Sequence, residues 1–188
     1  MCGIVGGVTE RNVVPILVEG LKRLEYRGYD SAGIAFQEQK KIALIKSLGR
    51  VQDLENKLNK NTSSTAGIAH TRWATHGIPS EKNAHPHVSN KNIYVVHNGI
   101  IENHEDLKSE LKSEGFKLYS QTDSEVIGHL IEFYKQRGMD FDSSVMKAIS
   151  RLKGAYALAV IDKNEPETLI GVRQSSPLVV GEGFGENF

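Results

Sequence analysis

The sequence has a single cysteine, Cys2, which directly follows the initiator methionine. Removal of Met1 would leave a thiol and a free α-amine on the same residue. The pKa of such an amine lies near ~8 and that of a thiol near ~8.5, so the amine can accept the thiol proton close to neutral pH. A terminal amine that activates its own side chain is a known way to make a nucleophile. The position of Cys2 predicts this chemistry, whereas a lone cysteine is otherwise a small buried hydrophobic residue.

Three other segments carry polar side chains that core packing does not require. HTRWATHG (residues 70–77) and HNG (97–99) each end a predicted strand, and Thr122 and Asp123 begin a predicted helix. Each also has an ordinary structural explanation. An arginine can be a surface charge, asparagine–glycine is a common turn dipeptide, and an aspartate favours the positive end of a helix.

Taken together, these side chains suit one kind of small molecule. The guanidinium of Arg72 can bind a carboxylate through two parallel hydrogen bonds, and Asp123 can hold an ammonium group. The side-chain amide of Asn98 and the main-chain N–H of Gly99 can donate to a developing oxyanion. With the thiol of Cys2, they describe attack on the carboxamide of a free amino acid, and L-glutamine is the candidate substrate.

A histidine-rich stretch offers a competing interpretation. Six of the seven histidines lie between residues 70 and 104, and histidine clusters can bind metal ions. The cysteine is far from this stretch in sequence, and neither H-E-x-x-H nor C-x-x-C spacing occurs. We therefore predict no metal site and no cofactor.

Composition narrows the class of protein. The chain has 188 residues, with 23 basic and 23 acidic side chains and a formal net charge of zero. This balance argues against a protein that binds nucleic acid through its phosphates. No apolar run approaches the ~20 residues that span a bilayer, the N-terminus does not resemble a signal peptide, and one cysteine cannot form an internal disulfide. We expect a soluble cytoplasmic protein with a reduced thiol and no membrane partner.

Hydrophobic periodicity predicts an α+β chain in which helices cover packed sheets. Thr122 and Glu125 fit a capping box at one helix start, residues 74–91 form a long irregular stretch, and GEGFGENF (181–188) contains no evident final element. The predicted strands are 3–8, 32–37, 41–48, 66–73, 92–99, 116–119, 155–162, 167–173 and 177–182. The predicted helices are 13–26, 51–60, 102–114, 122–138 and 142–151.

Five motifs in order also resemble a known family. They are CGIVG behind Met1, LEYRGYDSAG (24–33), HTRWATHG, HNGIIENH (97–104) and TDSEVI (122–127). The chain over 1–188 resembles the N-terminal glutaminase domain of the glucosamine-6-phosphate synthases, which are class II glutamine amidotransferases of the N-terminal-nucleophile hydrolase group. Amidophosphoribosyltransferases and asparagine synthetases share the leading cysteine and the Asn-Gly turn. The loop YRGYD (26–30) favours the sugar-phosphate enzymes.

The resemblance implies a role for each matching residue. Cys2 is the nucleophile with its α-amine as base, and Asn98 and Gly99 form the oxyanion hole. The remaining roles are carboxylate binding by Arg72 with Thr75 and His76, ammonium binding by Asp123, support of the cysteine segment by Arg27, and gating of ammonia by Trp73. The roles of His85 and His97, which lie in matching segments, stay open between catalysis and packing.

The resemblance also implies an architecture and an activity. The family fold is a four-layer αββα sandwich, here expected to be incomplete at its C-terminus because the family's domain continues further. The expected reaction is hydrolysis of L-glutamine to glutamate and ammonia, with a C-terminal isomerase domain that uses the ammonia and forms a homodimer in the full-length enzyme. The alternatives are the glutaminase of another class II amidotransferase, such as an amidophosphoribosyltransferase, and a glutamine-sensing module without catalysis.

Overall fold

Two antiparallel sheets pack face to face, and helices cover the outer face of each sheet. This arrangement is seen in a computed structural model that describes residues 2–74 and 76–188. The predicted α+β class and four-layer αββα sandwich are confirmed. In the described residues the strands are β1 (Gly3–Thr9), β2 (Ser31–Glu38), β3 (Lys41–Leu48), β4 (Ala66–Arg72), β5 (His87–Ser89), β6 (Ile93–Ile101), β7 (Gly154–Asp162), β8 (Leu169–Gln174), β9 (Glu182–Gly183) and β10 (Glu186–Asn187).

The order of strands places the two sheets around the segments singled out above. The first sheet runs β3-β2-β4-β1-β10-β9 and the second runs β5-β6-β7-β8. Every residue of β4 is buried, as expected for a strand that is covered on both faces. Pairing of Gly3 with Thr71 sets the start of β1 beside the end of β4. Cys2 and Arg72 are therefore neighbours, although they are far apart in sequence.

The helices lie on the outer faces of the two sheets. The first helix has Pro15 in its first turn, where a missing N–H costs nothing, and it buries its Val14, Leu17, Val18 and Leu21 face. The helices are α1 (Val14–Leu24), α2 (Val51–Lys57), α3 (His104–Ser113), α4 (Glu125–Lys135) and α5 (Phe141–Ile149), with a short 3-10 turn at Glu25–Arg27.

Three apolar clusters hold the four layers together. Leu17 and Leu54 belong to the cluster between the first sheet and its helices α1 and α2. Ile127 and Phe141 belong to the cluster between the second sheet and helices α3, α4 and α5. Val96 belongs to the third cluster, which lies between the two sheets. Because both faces of each sheet are packed, the strand ends on which the polar motifs lie are held in fixed positions.

Two predictions near the start of α4 are wrong for one physical reason. Residues 116–119 are not a strand, and Thr122 with Glu125 is not a capping box, because α4 begins at Glu125 after Ser124. The carboxylate of Glu125 instead accepts hydrogen bonds from the main-chain N–H groups of Tyr119 and Ser120, at 2.7–3.1 Å. It thereby satisfies donors that a neighbouring strand would otherwise have had to satisfy.

Other boundaries differ where the sequence signal is short. The short strand β5 lies inside the stretch 74–91 that was predicted to be irregular, and it pairs with β6. Most of 177–182 is not a strand, whereas β9 and β10 form a hairpin within the final eight residues. Val8 of β1 pairs with Asn187 of β10, so the prediction that this segment holds no element is wrong. Over residues 2–74 and 76–188, the helices are too short or too polar to traverse a bilayer.

Candidate active site

A cavity of about 860 Å³ lies where the start of β1 and the ends of β4 and β6 meet the beginning of α4. Its walls contain eight of the nine predicted site residues, and the ninth, Thr75, lies outside the described residues. The eight are Cys2, Arg27, Arg72, Trp73, His76, Asn98, Gly99 and Asp123. Residues from separate motifs are thus brought to one place by the pairing and stacking of the two sheets.

The thiol of Cys2 is half-buried, and Cys2 lines this cavity. Its sulfur accepts a hydrogen bond from the main-chain N–H of Trp73, at 3.1 Å. Burial raises the pKa of the Cys2 thiol, and the Trp73 hydrogen bond opposes part of that rise. The thiol is consequently protonated at neutral pH, so it needs a nearby base before it can attack a substrate.

The side chain of Asn98 reaches from the second sheet to the cysteine segment. Its Nδ2 atom donates to the main-chain oxygen of Cys2 at 3.2 Å, and its Oδ1 atom lies 2.8 Å from Nε2 of His70. His70 lies on β4 and is fully buried. The amide of Asn98 therefore bridges the two sheets at the main chain of Cys2.

Gly99 occupies a backbone conformation that only glycine adopts readily. Its φ is +130°, and a Cβ atom at this position would lie 2.1 Å from the main-chain oxygen of Ala155 on β7. The absent side chain allows close approach of β6 and β7 and leaves the Gly99 backbone exposed at the cavity wall. The glycine of the Asn-Gly pair is thus required here by a strand contact and not by a turn.

The guanidinium of Arg72 is buried and is already hydrogen-bonded within the protein. It donates to the main-chain oxygens of His76 at 2.5 Å, Gly77 at 2.9 Å and Ile78 at 3.4 Å. It also lies 3.5 Å from Oδ1 of Asp30. Arg72 is therefore at the cavity, as predicted. In the structure its guanidinium donates to main-chain oxygens of the loop that follows β4 and so holds that loop.

The carboxylate of Asp123 is buried in the cavity wall, immediately before α4. Its Oδ2 atom accepts a hydrogen bond from the main-chain N–H of Ile101 at 2.8 Å, and its Oδ1 atom accepts one from the hydroxyl of Ser124 at 3.2 Å. Nδ1 of His97 lies 2.7 Å from the same hydroxyl and 4.0 Å from Oδ1. Asp123 is thereby fixed as an acceptor facing the cavity.

The remaining predicted residues that the structure describes also line the cavity. The side chain of Trp73 is 54% exposed, and its ring packs so closely over Gly28 that a Cβ there would lie 2.6 Å away. Arg27 ends the 3-10 turn and lines the cavity wall. The ring of His76 contacts the ring of His104 edge-on, with centroids 5.4 Å apart.

Asp30, His70 and Ser124 lie in or beside the cavity wall and were not singled out as site residues from the sequence. Asp30 accepts from the main-chain N–H of Ala74 at 2.5 Å, so it ties the 28–30 loop to the segment after β4. His70 contacts Asn98, and Ser124 contacts Asp123, as described above. Each lies inside or next to a quoted motif, which was the available signal, but its partner is set by tertiary contact.

The clustered histidines form a stacked, electrically neutral group. The rings of His70 and His85 are stacked at 4.1 Å, and His85 meets His87 at 4.7 Å. Burial lowers the pKa of His70 to about 3 and that of His97 to about 4, and it also holds the pKa values of His85 and His87 well below the ordinary range. In the part of the chain that the structure describes, no three His, Cys, Asp or Glu side chains are placed to hold a metal ion.

Comparison with solved structures gives the same fold. A glutamine phosphoribosylpyrophosphate amidotransferase from B. subtilis, solved with ADP and GMP, is 25% identical with a TM-score of 0.83. The match covers 100% of this chain and 41% of that one. A structure described as the allosteric regulatory enzyme of purine biosynthesis is 27% identical with a TM-score of 0.81, over 98% of this chain and 41% of that one.

Comparison with curated sequences gives higher identities. A glutamine--fructose-6-phosphate aminotransferase [isomerizing] from Acinetobacter baylyi is 53% identical over 189 residues, and one from Escherichia coli (strain K12) is 52% identical over 190 residues. Both matches cover 100% of this chain but only 31% of the relative. The resemblance drawn from the motifs is thus confirmed, and this chain spans less than a third of the length of these relatives.

A family model covers most of the site. The model is described as a glutamine amidotransferase domain, and it matches residues 70–186. This range contains the end of β4, the Asn-Gly pair and the start of α4, and it includes all the predicted site residues except Cys2 and Arg27. The chain therefore belongs to the family of glutamine amidotransferase domains.

Proposed function

We propose that this chain hydrolyses L-glutamine to glutamate and ammonia through a thioester on Cys2. The observation that carries the proposal is the convergence of Cys2, Asn98, Arg72 and Asp123 on one cavity. These side chains supply a nucleophile, an oxyanion donor, a cation and an anion. Their types match the carboxamide, the α-carboxylate and the α-ammonium of free glutamine.

The first half of the reaction makes the thioester. With Met1 removed, the α-amine of Cys2 takes the proton from the sulfur, and the thiolate attacks the δ-carboxamide carbon of glutamine. The carboxamide oxygen becomes negatively charged, and the Nδ2–H of Asn98 and the main-chain N–H of Gly99 stabilise it. Each such donor contributes roughly 3 kcal/mol. The carbon–nitrogen bond then breaks, and ammonia leaves with the proton that the α-amine had taken.

The second half releases glutamate. The α-amine accepts a proton from a water molecule as the water oxygen attacks the thioester carbon. A second oxyanion forms and is stabilised by the same two N–H donors. The carbon–sulfur bond breaks, and the sulfur recovers its proton from the amine. The raised pKa of the Cys2 thiol makes the amine necessary, because little thiolate forms without a base at neutral pH.

The two charged groups on the α-carbon of the substrate are held by two residues of the cavity wall. Arg72 exchanges carbonyl partners of the 76–78 loop for the α-carboxylate of glutamine, with Thr75 and His76 completing that end. Asp123 binds the α-ammonium. A buried guanidinium that loses its acceptors is costly. Because the α-carboxylate replaces the main-chain oxygens, Arg72 keeps hydrogen-bond acceptors both with and without bound glutamine.

Two further residues of the cavity wall have supporting roles in the proposed reaction. Arg27 steadies the segment that carries Cys2, and Trp73, which is exposed beside the sulfur, gates the departure of ammonia. In the full-length protein, ammonia passes to a C-terminal isomerase domain that makes glucosamine 6-phosphate from fructose 6-phosphate. That domain forms the homodimer, and the protein is cytoplasmic. The names of the curated relatives, which are about three times the length of this chain, support the isomerase domain in this proposal.

A glutaminase assay on the purified chain, with intact mass measured on the same sample, tests the proposal. We expect stoichiometric release of ammonia and glutamate from material that has lost Met1, and at least a thousandfold lower rate for Cys2→Ser. Full activity in Met1-retaining material would reject the α-amine as base. A normal rate for Cys2→Ser would reject the nucleophile.

The same samples separate the alternative functions. Glutamine binding by calorimetry without any product would support a glutamine-sensing module in place of an enzyme. Fusion of the chain to the remaining two thirds of an aminotransferase relative should restore glucosamine 6-phosphate synthesis from glutamine. A second fusion joins the chain to the synthase part of an amidophosphoribosyltransferase. If only this second fusion makes its product, phosphoribosylamine, the result would favour the amidophosphoribosyltransferases.

A further inference from the structure

The imidazole of His70 makes two short contacts that the proposed reaction does not use. Its Nε2 atom lies 2.8 Å from Oδ1 of Asn98 and 3.1 Å from the main-chain oxygen of His97. The residue is fully buried in β4, between the two sheets. A carbonyl oxygen can only accept a hydrogen bond, and a side-chain amide oxygen can only accept one as well. Both contacts therefore require that Nε2 carries a proton.

The tautomer of His70 is fixed by its surroundings. Burial holds the pKa of the ring at about 3, so the imidazole is neutral at pH 7 and carries one proton. Among the described residues, no hydrogen-bond partner is found for its Nδ1 atom. With two acceptors at Nε2 and none at Nδ1, the single proton resides on Nε2.

This proton determines which way the amide of Asn98 faces. Because Oδ1 accepts from His70, the Nδ2 group must point to the other side, where it donates to the oxygen of Cys2 at 3.2 Å. A rotated amide would put its NH₂ group against the Nε2–H of His70 and its oxygen against the oxygen of Cys2. It would lose both bonds and would present a carbonyl, not a donor, to the oxyanion.

The ring of His70 is itself held against rotation. It stacks on the ring of His85 with centroids 4.1 Å apart. Nδ1 of His85 accepts a hydrogen bond from the main-chain N–H of His97 at 3.1 Å, which links the second ring to β6. His97 immediately precedes Asn98 on β6. The ring that stacks on His70 is therefore anchored one residue away from the amide that His70 contacts.

We propose that His70 is a positioning residue for the oxyanion hole, which fixes the Asn98 amide with its N–H donor toward Cys2. The inference rests on the proposed glutaminase reaction, since the donor matters only if an oxyanion forms there. His70 does not touch the substrate. Its effect should appear in kcat and not in binding of glutamine, because the oxyanion exists only along the reaction path.

The first test replaces His70 by a ring that cannot donate. His70→Phe should lower kcat about 10- to 100-fold with KM nearly unchanged, because a misoriented donor costs part of the effect of removing it. His70→Gln, which offers an N–H at a similar reach, should recover part of that loss. His87→Phe is the matched control, since His87 is buried in the same cluster but its Nε2 contacts Thr122.

Alkylation separates positioning from general damage to the site. Iodoacetamide forms a sulfur–carbon bond at Cys2 and releases iodide, and no oxyanion develops. Because Cys2 is the single cysteine, intact mass reports its reaction directly. His70→Phe should react at the wild-type rate while hydrolysing glutamine slowly. An equal loss in both rates would show that His70 only supports the fold around Cys2 and would overturn the proposal.

A double-mutant cycle tests the route through Asn98. In an Asn98→Ala background, His70→Phe should cause no further loss of kcat, and a full additional loss would overturn the proposal. If His70→Phe does not fold, judged by circular dichroism, His70→Asn runs the same cycle because its shorter amide does not reach Asn98. Unchanged kcat in the single variant would also reject the inference. A wild-type chain without turnover would instead reject the proposed function, and this inference with it.

Discussion

Oδ2 of Asp30 accepts a hydrogen bond from the main-chain N–H of Ala74 at 2.5 Å. The other oxygen of the same carboxylate lies 3.5 Å from the guanidinium of Arg72 and accepts from the hydroxyl of Ser31 at 2.7 Å. Asp30 thus connects the loop before β2 to the strand exit that presents the Trp73 N–H to Cys2. One carboxylate organises both the Arg72 guanidinium and the segment beside Cys2.

The first prediction removes this carboxylate. Asp30→Ala should lower kcat/KM for glutamine at least tenfold and lower the midpoint of urea unfolding, because it leaves the N–H of Ala74 and a buried guanidinium short of an acceptor. Glu167→Ala, at an exposed position before β8 and outside any helix, is the control and should change neither quantity. Wild-type kcat/KM in the Asp30 variant would show that the loop after β4 holds its position without it.

The second prediction concerns recognition of the α-ammonium. Asp123→Asn keeps an oxygen that can accept from the Ile101 N–H but removes the negative charge. Loss of a charge-assisted hydrogen bond of about 1.5–3 kcal/mol should raise KM for L-glutamine roughly 10- to 100-fold. The deamino analogue 4-carbamoylbutanoate is the control substrate. Its KM should be high for both proteins and nearly equal, so an equal rise for both substrates would place the ammonium elsewhere.

The sequence predicted the elements whose signals are local and repeated. The periodic face of α1, the hairpin of β2 and β3, and the apolar strands β4, β6 and β7 were all found close to their predicted bounds. The short strand β5 was missed because three residues carry too little periodicity to stand out from a loop. It forms because β6 supplies its hydrogen-bond partners.

Some residues of the site could be predicted from the sequence and others could not. Cys2, Arg72, Asn98 and Asp123 could be predicted to lie together at one cavity, because their residue types suit the groups of one small molecule. His70 could not, because its role depends on a partner 28 residues away on a different sheet. The state of Arg72 could not be predicted either, since its acceptors are main-chain oxygens that any sequence provides. Residue type indicates what a side chain can bind, and tertiary contact decides what it does bind.

The third prediction separates backbone strain from steric conflict at the Asn-Gly pair. Gly99→Ala should strongly destabilise the protein and abolish turnover, because φ is +130° and the new Cβ would lie 2.1 Å from the oxygen of Ala155. Gly115→Ala provides the control, with φ +87° and nothing within 4 Å of its Cβ. We expect the control to lose only about 1–2 kcal/mol of stability, from the left-handed conformation alone. Equal losses in the two variants would mean that the contact with β7 relaxes freely.

The last prediction is a loss of stability in mild acid. Folding lowers the pKa of His70 to about 3 and that of His97 to about 4, against an ordinary value near ~6.5, and His85 and His87 shift in the same direction. Between those limits the unfolded chain binds protons that the folded chain excludes, so the free energy of unfolding falls as the pH drops below ~6.5. Each histidine contributes on the order of 1 kcal/mol per pH unit in this window.

Urea titrations at pH 7, 6 and 5 measure that dependence. Carboxylates also titrate in acid, and Glu125, whose hydrogen bonds lower its pKa to about 2 despite burial, contributes at the acidic end. His87→Gln isolates the histidine part, because glutamine cannot titrate but can keep a hydrogen bond to Thr122. Its unfolding free energy should fall less steeply than that of the wild type between pH 6 and 5. Parallel curves for the two proteins would mean that the buried cluster accepts protons without unfolding.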